Sequence, residues 1–229
     1  MAACLGKSFI ITIDGPAGSG KSTTARRVAE RLGYSYLDSG ALYRAVTWAA
    51  LQQNLDLQDS ERVARLAEQL DLDIQAVESG LRILVNGRDV SHEIRMPEVT
   101  QAIAPVAANP GVRRALLGTQ RRFGEQGGVV AEGRDMGTVV FLDADVKFFM
   151  VASLQERAKR RQAELAAKGV AVPLEELMNA LQQRDDSDSR RTHSPLLRPQ
   201  EAIDIDTSRL SIDEQVDLVI REVLKKRNA

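Results

Sequence analysis

The chain has 229 residues, 43% hydrophobic and 28% charged, an ordinary globular composition that allows a substantial buried core. Its 31 basic and 32 acidic residues give a formal net charge of -1, so there is no chain-wide cationic field for a nucleic-acid partner. The one cysteine, Cys4, excludes a disulfide framework and a cysteine metal cage and fits a cytoplasmic setting, and the apolar run 9–13 is too short for a signal-peptide core or a membrane span.

In chain order, the apolar run Ile10, Ile11, Thr12, Ile13 predicts a buried strand that ends in Asp14. The segment Gly15, Pro16, Ala17, Gly18, Ser19, Gly20, Lys21, Ser22, Thr23 follows and fills the pattern G-x-x-x-x-G-K-[ST]. Its glycines let backbone N–H groups close around a triphosphate, Lys21 is placed to reach the β- and γ-phosphates, and Ser22 to ligate Mg²⁺. Ala25, Val28, Ala29 and Leu32 recur at helical spacing before Gly33, so a helix N-terminus points at the phosphates. A short strand at 34–37 and a helix at 41–52 complete a strand, helix, strand, helix order, the signature of an α/β fold with a parallel sheet core.

From Ser60 the pattern changes. Val63, Leu66, Ala67 and Leu70 predict an amphipathic helix, then 81–85 and 88–90 a β-hairpin closed by a type I′ turn at Asn86 and Gly87. Two helices follow at 97–107 and 112–125, separated by Asn109, Pro110 and Gly111. Residues 60–126 therefore read as an α+β excursion from the core of a single domain. The core resumes with a strand at 129–131 that runs into the polar loop 132–138; residues 139–142 extend or cap that unit, and 146–152 form a buried strand. Ser153 and Glu156 suggest a capping box for a helix ending near Ala167. A helix over 174–184 gives way to 184–191, which carries many charges and little to bury and is expected to be exposed and mobile. A last strand at 202–205 precedes a helix capped by Ser211 and Glu214.

A phosphate-binding loop specifies the donor and leaves the acceptor open. Arg44, Arg113, Arg134, Arg157, Arg160, Arg161, Arg184, Arg190 and Arg191 lie in or beside expected loops, and guanidinium grips phosphate bidentately. Transfer to an alcohol needs a positioned base. Transfer to a phosphate monoester does not, because its second pKa lies near ~6 and the attacking oxygen is already anionic. Asp38 is open to two readings, a base for an alcohol acceptor or the N-cap of the helix beginning near Ala41. His92 and His193 are assigned to solvent, and Trp48 and Met136 to packing.

Four segments in family order carry a resemblance: residues 13–23, the run Leu37, Asp38, Ser39, Gly40, Ala41, Leu42, Tyr43, Arg44, the run Gly133, Arg134, Asp135, Met136, Gly137, Thr138, and Arg184, Asp185, Asp186. On these the chain resembles the bacterial cytidylate kinases. The resemblance implies a P-loop NTPase fold of the nucleoside monophosphate kinase kind, with the excursion as monophosphate-binding insert and a lid at about 170–198. It also implies ATP and Mg²⁺ acting on CMP or dCMP in pyrimidine metabolism, by a monomer. By the same resemblance, Ser39, Tyr43, Arg44, Arg113, Arg134, Asp135, Arg184 and Asp188 hold the acceptor. Lys21, Arg134, Arg184 and Arg191 serve catalysis. A carboxylate such as Asp135 with an arginine such as Arg113 favours cytosine, whose exocyclic N4–H₂ is a donor where uracil has an acceptor. Two positions depart from the family pattern: Ala104 and Pro105 stand where a serine contributes to the base site, and Glu132 where aspartate is common. Two rival readings remain, a kinase for a small metabolite alcohol with Asp38 as base, and a nucleotide-gated binding protein that signals through the insert.

Overall fold

The computed structural model describes residues 8–77, 80–167 and 169–228; Cys4 lies outside them. The described residues form two compact units, Phe9–Tyr34 with 130–228, and Ser35–Val129 with Ser8.

The first unit contains the loop and its supports. β1 (Ile10–Asp14) is buried along its length after Ile10, as a strand covered on both faces must be. It pairs in parallel with β7 (Val146–Val151), which pairs in parallel with β8 (Ile203–Asp206). With β6 (Val129–Gly133) the order in this unit is β6-β1-β7-β8. α1 (Lys21–Leu32) starts at Gly20 and stops at Gly33, whose φ of 66° is the left-handed cap that glycine adopts without strain. α8 (Ile212–Arg227) opens with a complete capping box between Ser211 and Glu214. α6 (Leu154–Ala166) has half of one: Ser153 Oγ accepts from Glu156 N, while the Glu156 carboxylate takes Lys159 instead.

The loop expected at 132–138 is shorter than the sequence suggested. β6 runs on through Gly133, and Met136–Val140 winds into a π-helical turn. The larger correction concerns 184–191. α7 (Leu174–Ser189) continues through most of it, and Asp188 is 2% exposed. Leu177, Leu181, Asp185 and Asp188 succeed one another at helical spacing, so the inward face changes from apolar to acidic without ending. Arginines make burial of those acids tolerable, as described below.

In the second unit, β2 (Ser35–Asp38) leads into α2 (Ser39–Gln52), whose Ala41, Val46, Ala49 and Ala50 are buried with Val63 of α3 (Ser60–Gln69). An antiparallel sheet of β3 (Leu72–Val77), β4 (Gly80–Val85) and β5 (Arg88–Asp89) adds Leu81, Ile83 and Val85 to the same core. Positive φ at both Asn86 and Gly87 gives the expected hairpin turn. β3 was not anticipated, although Leu72 and Ile74 alternate with polar neighbours. α4 (Pro97–Ala108) and α5 (Pro110–Gly124) meet at Asn109, whose side chain caps α5 by accepting from Gly111 N and Val112 N. His92 and His193 are exposed, and Met136 is fully buried.

Candidate active site

Residues 15–23 connect β1 to α1 as a loop that the glycines alone permit. A Cβ on Gly15 would lie 2.1 Å from the Met150 carbonyl oxygen, and Gly18 and Gly20 hold φ of 75° and 92°. Gly20 brings no side chain to cap α1, and no acid occupies the first turn, so the helix presents its N-terminal N–H groups and positive dipole end to an anion. Lys21, only 7% exposed, folds back with Nζ donating to the Pro16 carbonyl at 3.2 Å and lying 3.8 Å from Glu132 Oε2. Ser22 Oγ donates to Glu132 Oε1 at 2.6 Å. That bond commits the hydroxyl proton and leaves the oxygen lone pairs for a cation. Hydroxyl and carboxylate are hard oxygen ligands, and Mg²⁺ is usually held by one or two protein oxygens plus substrate phosphates, so these residues fit it, with Ser22 as the ligand and Glu132 orienting it.

A cleft of about 400 Å³ opens beside Gly18, Gly20, Lys21 and Thr23, walled by Arg160 and Gln215. Two arginines three residues apart on α6 brace the loop from behind. Arg157, 6% exposed, donates to the Ala17 carbonyl at 3.2 Å and the Ala152 carbonyl at 3.1 Å, and pairs with Asp185 of α7 at 2.7 Å. Arg160 donates to the Gly18 carbonyl and to Thr207, whose hydroxyl in turn donates to the Ser19 carbonyl at 2.7 Å. Ser19 Oγ is buried without a hydrogen-bond partner among the described residues. Thr207 and Gln215 carry no local signal that marks them for this role. For Arg157 and Arg160 the signal available was their i, i+3 spacing directly after a buried strand.

Arg134, at the end of β6, donates through Nε to Asp188 at 2.7 Å, and Arg191 pairs with the other Asp188 oxygen. Burial, the largest single influence, pushes the Asp188 carboxyl up, but Arg134, Arg191 and then Arg184 together hold it below the usual carboxylate range. Asp135, next to Arg134, is buried at 3% exposure. Arg184 is exposed on α7.

Within the Ser35–Val129 unit, the remaining expected residues gather on α2 and α5. Ser39 is buried in the first turn of α2. The Arg113 guanidinium lies 5.1 Å from the centre of the Tyr43 ring and donates to the Ala107 carbonyl at 2.8 Å. Arg44 pairs with Asp38 at 2.6 Å, and its buried Nε–H has no hydrogen-bond partner among the described residues. Asp38 caps α2 by accepting from Ala41 N at 3.1 Å, so one oxygen serves the helix cap and the other the Arg44 ion pair, which makes the carboxylate a weaker base. Ala104 is exposed and offers no hydroxyl.

A parallel sheet, a glycine loop closed by lysine and serine at a helix N-terminus, and a surrounding set of arginines define a P-loop phosphotransferase. The family model described as Cytidylate kinase matches residues 11–225, and the chain belongs to that family. It is 44% identical over 220 residues to the cytidylate kinase of Bacillus subtilis (strain 168), covering 96% of this chain and 98% of that protein. To the cytidylate kinase of Limosilactobacillus reuteri (strain DSM 20016) it is 46% identical, covering 96% of each. A bifunctional pantoate ligase/cytidylate kinase of Synechococcus sp. (strain JA-2-3B'a(2-13)) is 49% identical over 223 residues, 95% of this chain; the chain spans 41% of that protein's length.

Proposed function

We propose that the chain transfers the γ-phosphate of ATP to CMP or dCMP, giving ADP and CDP or dCDP, within pyrimidine nucleotide metabolism. The observation that carries the choice of a phosphate acceptor over an alcohol is the state of Asp38. The carboxylate that an alcohol kinase would need as base is engaged by Ala41 N and Arg44. A nucleoside monophosphate needs no base, because its phosphate is dianionic near neutral pH.

In this reading residues 15–23 hold the donor phosphates through backbone N–H groups, and Lys21 offsets charge on the transferring group. Ser22 would hold Mg²⁺, which when bound would supply neutralisation of phosphate charge. Arg134, Arg184 and Arg191 act on the acceptor and transferring phosphates, and the segment around 170–198 serves as lid, excluding water. Ser39, Tyr43, Arg44, Arg113, Asp135 and Asp188 hold the acceptor nucleotide, with 60–126 as the monophosphate-binding insert of one kinase domain.

Cytoplasmic residence is supported by the single cysteine, and among the described residues no helix is long and apolar enough to cross a membrane. The chain is taken to work as a monomer on free nucleotides, and its near-balanced charge supplies no cationic field for a nucleic-acid partner. ATP consumption against CMP, dCMP, UMP, AMP and a panel of sugar and shikimate-like alcohols tests the reading. CMP and dCMP are expected to give the highest kcat/KM, and preference for an alcohol overturns it.

A further inference from the structure

Asp14 has no part in the chemistry described so far, yet it is fully buried, at 0% exposure, one residue before the phosphate loop. Its two oxygens accept from consecutive backbone amides, Met136 N and Gly137 N, each at 2.8 Å. Those amides begin the π-helical turn directly after Arg134 and Asp135, and the turn is tightly held at its other points. The Asp135 carbonyl accepts from Val139 N at 2.9 Å, and the Met136 carbonyl from Phe141 N at 2.7 Å. A Cβ on Gly137 would lie 2.9 Å from both Thr12 Oγ1 and Pro199 Cγ, so the turn has no room to slide. π-Turns are frequent at functional sites because they re-aim neighbouring side chains at a cost in helix geometry.

Burial of a carboxylate here is expensive. It raises the Asp14 pKa to about 7, against the lowering pull of the Gly137 and Met136 amides; the Asp135 charge adds to the rise and Lys21 opposes it. Asp135 on the turn and Lys21 at the start of α1 are the charged groups that face Asp14, while β7 places Phe149 opposite it.

We propose that Asp14 is a positioning residue for the acceptor: by holding the Met136 and Gly137 amides, it fixes the direction in which Arg134 and Asp135 leave the backbone. This rests on the acceptor role proposed for those two residues. One strand end thereby sets both the entry to the donor loop and the aim of the acceptor-binding pair. An asparagine at this position has one acceptor oxygen and turns an NH₂ toward the second amide.

The test compares full-length wild type with Asp14→Asn, varying CMP at saturating ATP, measuring binding of a fluorescent ATP analogue with Mg²⁺, and recording circular dichroism. Loss of a charge-assisted bond predicts a fall of about 10- to 100-fold in kcat/KM for CMP, with ATP-analogue affinity within about threefold. Wild-type kcat/KM for CMP should also fall below a pH of about 7, through an ionisation additional to that of the nucleotide phosphate near ~6, and Asp14→Asn should lack it. CMP kinetics equal to wild type, or equal losses toward CMP and ATP, overturn the positioning role. If the variant does not fold, Asp14→Ser replaces it in the same comparison, and the same two outcomes overturn the role. Absence of any CMP turnover in wild type overturns the functional reading together with this one, whereas normal wild-type turnover unaltered in Asp14→Asn overturns this one alone.

Discussion

A lysine buried to 7% exposure beside a carboxylate at 3.8 Å is costly unless its charge has work at that position. Lys21 meets that condition at the first turn of α1, where a triphosphate would face it. Replacing it by alanine removes a donor aimed at the transferring group, and kcat is expected to fall by about 10²- to 10³-fold or more. Circular dichroism should show the fold intact, because the side chain is no part of an apolar core; near-normal transfer to CMP by Lys21→Ala would refute the assignment. At this scale the loop was legible because its chemistry is contiguous, nine residues in which spacing alone dictates backbone geometry. Glu132, which orients Ser22, was not legible as such, since 110 residues separate the two. The two readings of Asp38 could be separated only by seeing Arg44 and Ala41 N on its two oxygens.

The elements show where a pattern misleads. Sequence reading ends α7 where leucines give way to acids, on the premise that charged residues are solvated. The helix continues because Arg157 meets Asp185, and Arg134 and Arg191 meet Asp188, so the acidic face is buried with its partners. Arg134 and Arg157 lie on other elements, which no local window contains, and only Arg191 is a sequence neighbour of the acid it meets. A consequence is testable through pH. The Asp188 carboxyl lies below its ordinary value of 3.8 in the folded chain, so its contribution to stability is complete above that value and is lost as pH falls through the lower native one. Asp188→Asn should lower stability by about 1–3 kcal/mol at pH 7, by leaving two arginines short of their acceptor. The deficit should shrink as wild type is acidified below about pH 4, since the wild-type carboxylate is then being neutralised too. Chemical denaturation of both proteins from pH 7 to pH 3 measures it, and a constant deficit would mean that Asp188 acts through packing and not through charge.

For the molecule as a whole, the alternation of strand and helix around the loop was enough to expect a parallel sheet core, and β1, β7 and β8 pair that way. The extent of the Ser35–Val129 unit was not legible, because α2 reads as another crossover helix. Its buried face shares a core with Val63, Ile83 and Val112, so the compact unit takes in α2 and begins at residue 35. The residues assigned to ATP, 15–23, all lie in the other unit. Those assigned to the acceptor divide, with Ser39, Tyr43, Arg44 and Arg113 in Ser35–Val129 and Arg134, Asp135, Arg184 and Asp188 outside it. Ligand binding stabilises the segments it touches by mass action, about 2.7 kcal/mol at a hundredfold excess over Kd. In amide hydrogen exchange, ATP with Mg²⁺ should therefore slow exchange at 15–23 and the start of α1 while leaving α2 and α5 near their free rates. CMP alone should slow exchange around Tyr43, Arg113 and Asp188. If ATP alone protected α2 and α5, or CMP protected only the phosphate loop, the division of the two nucleotides between these residue sets would be wrong, whatever the overall rate of turnover.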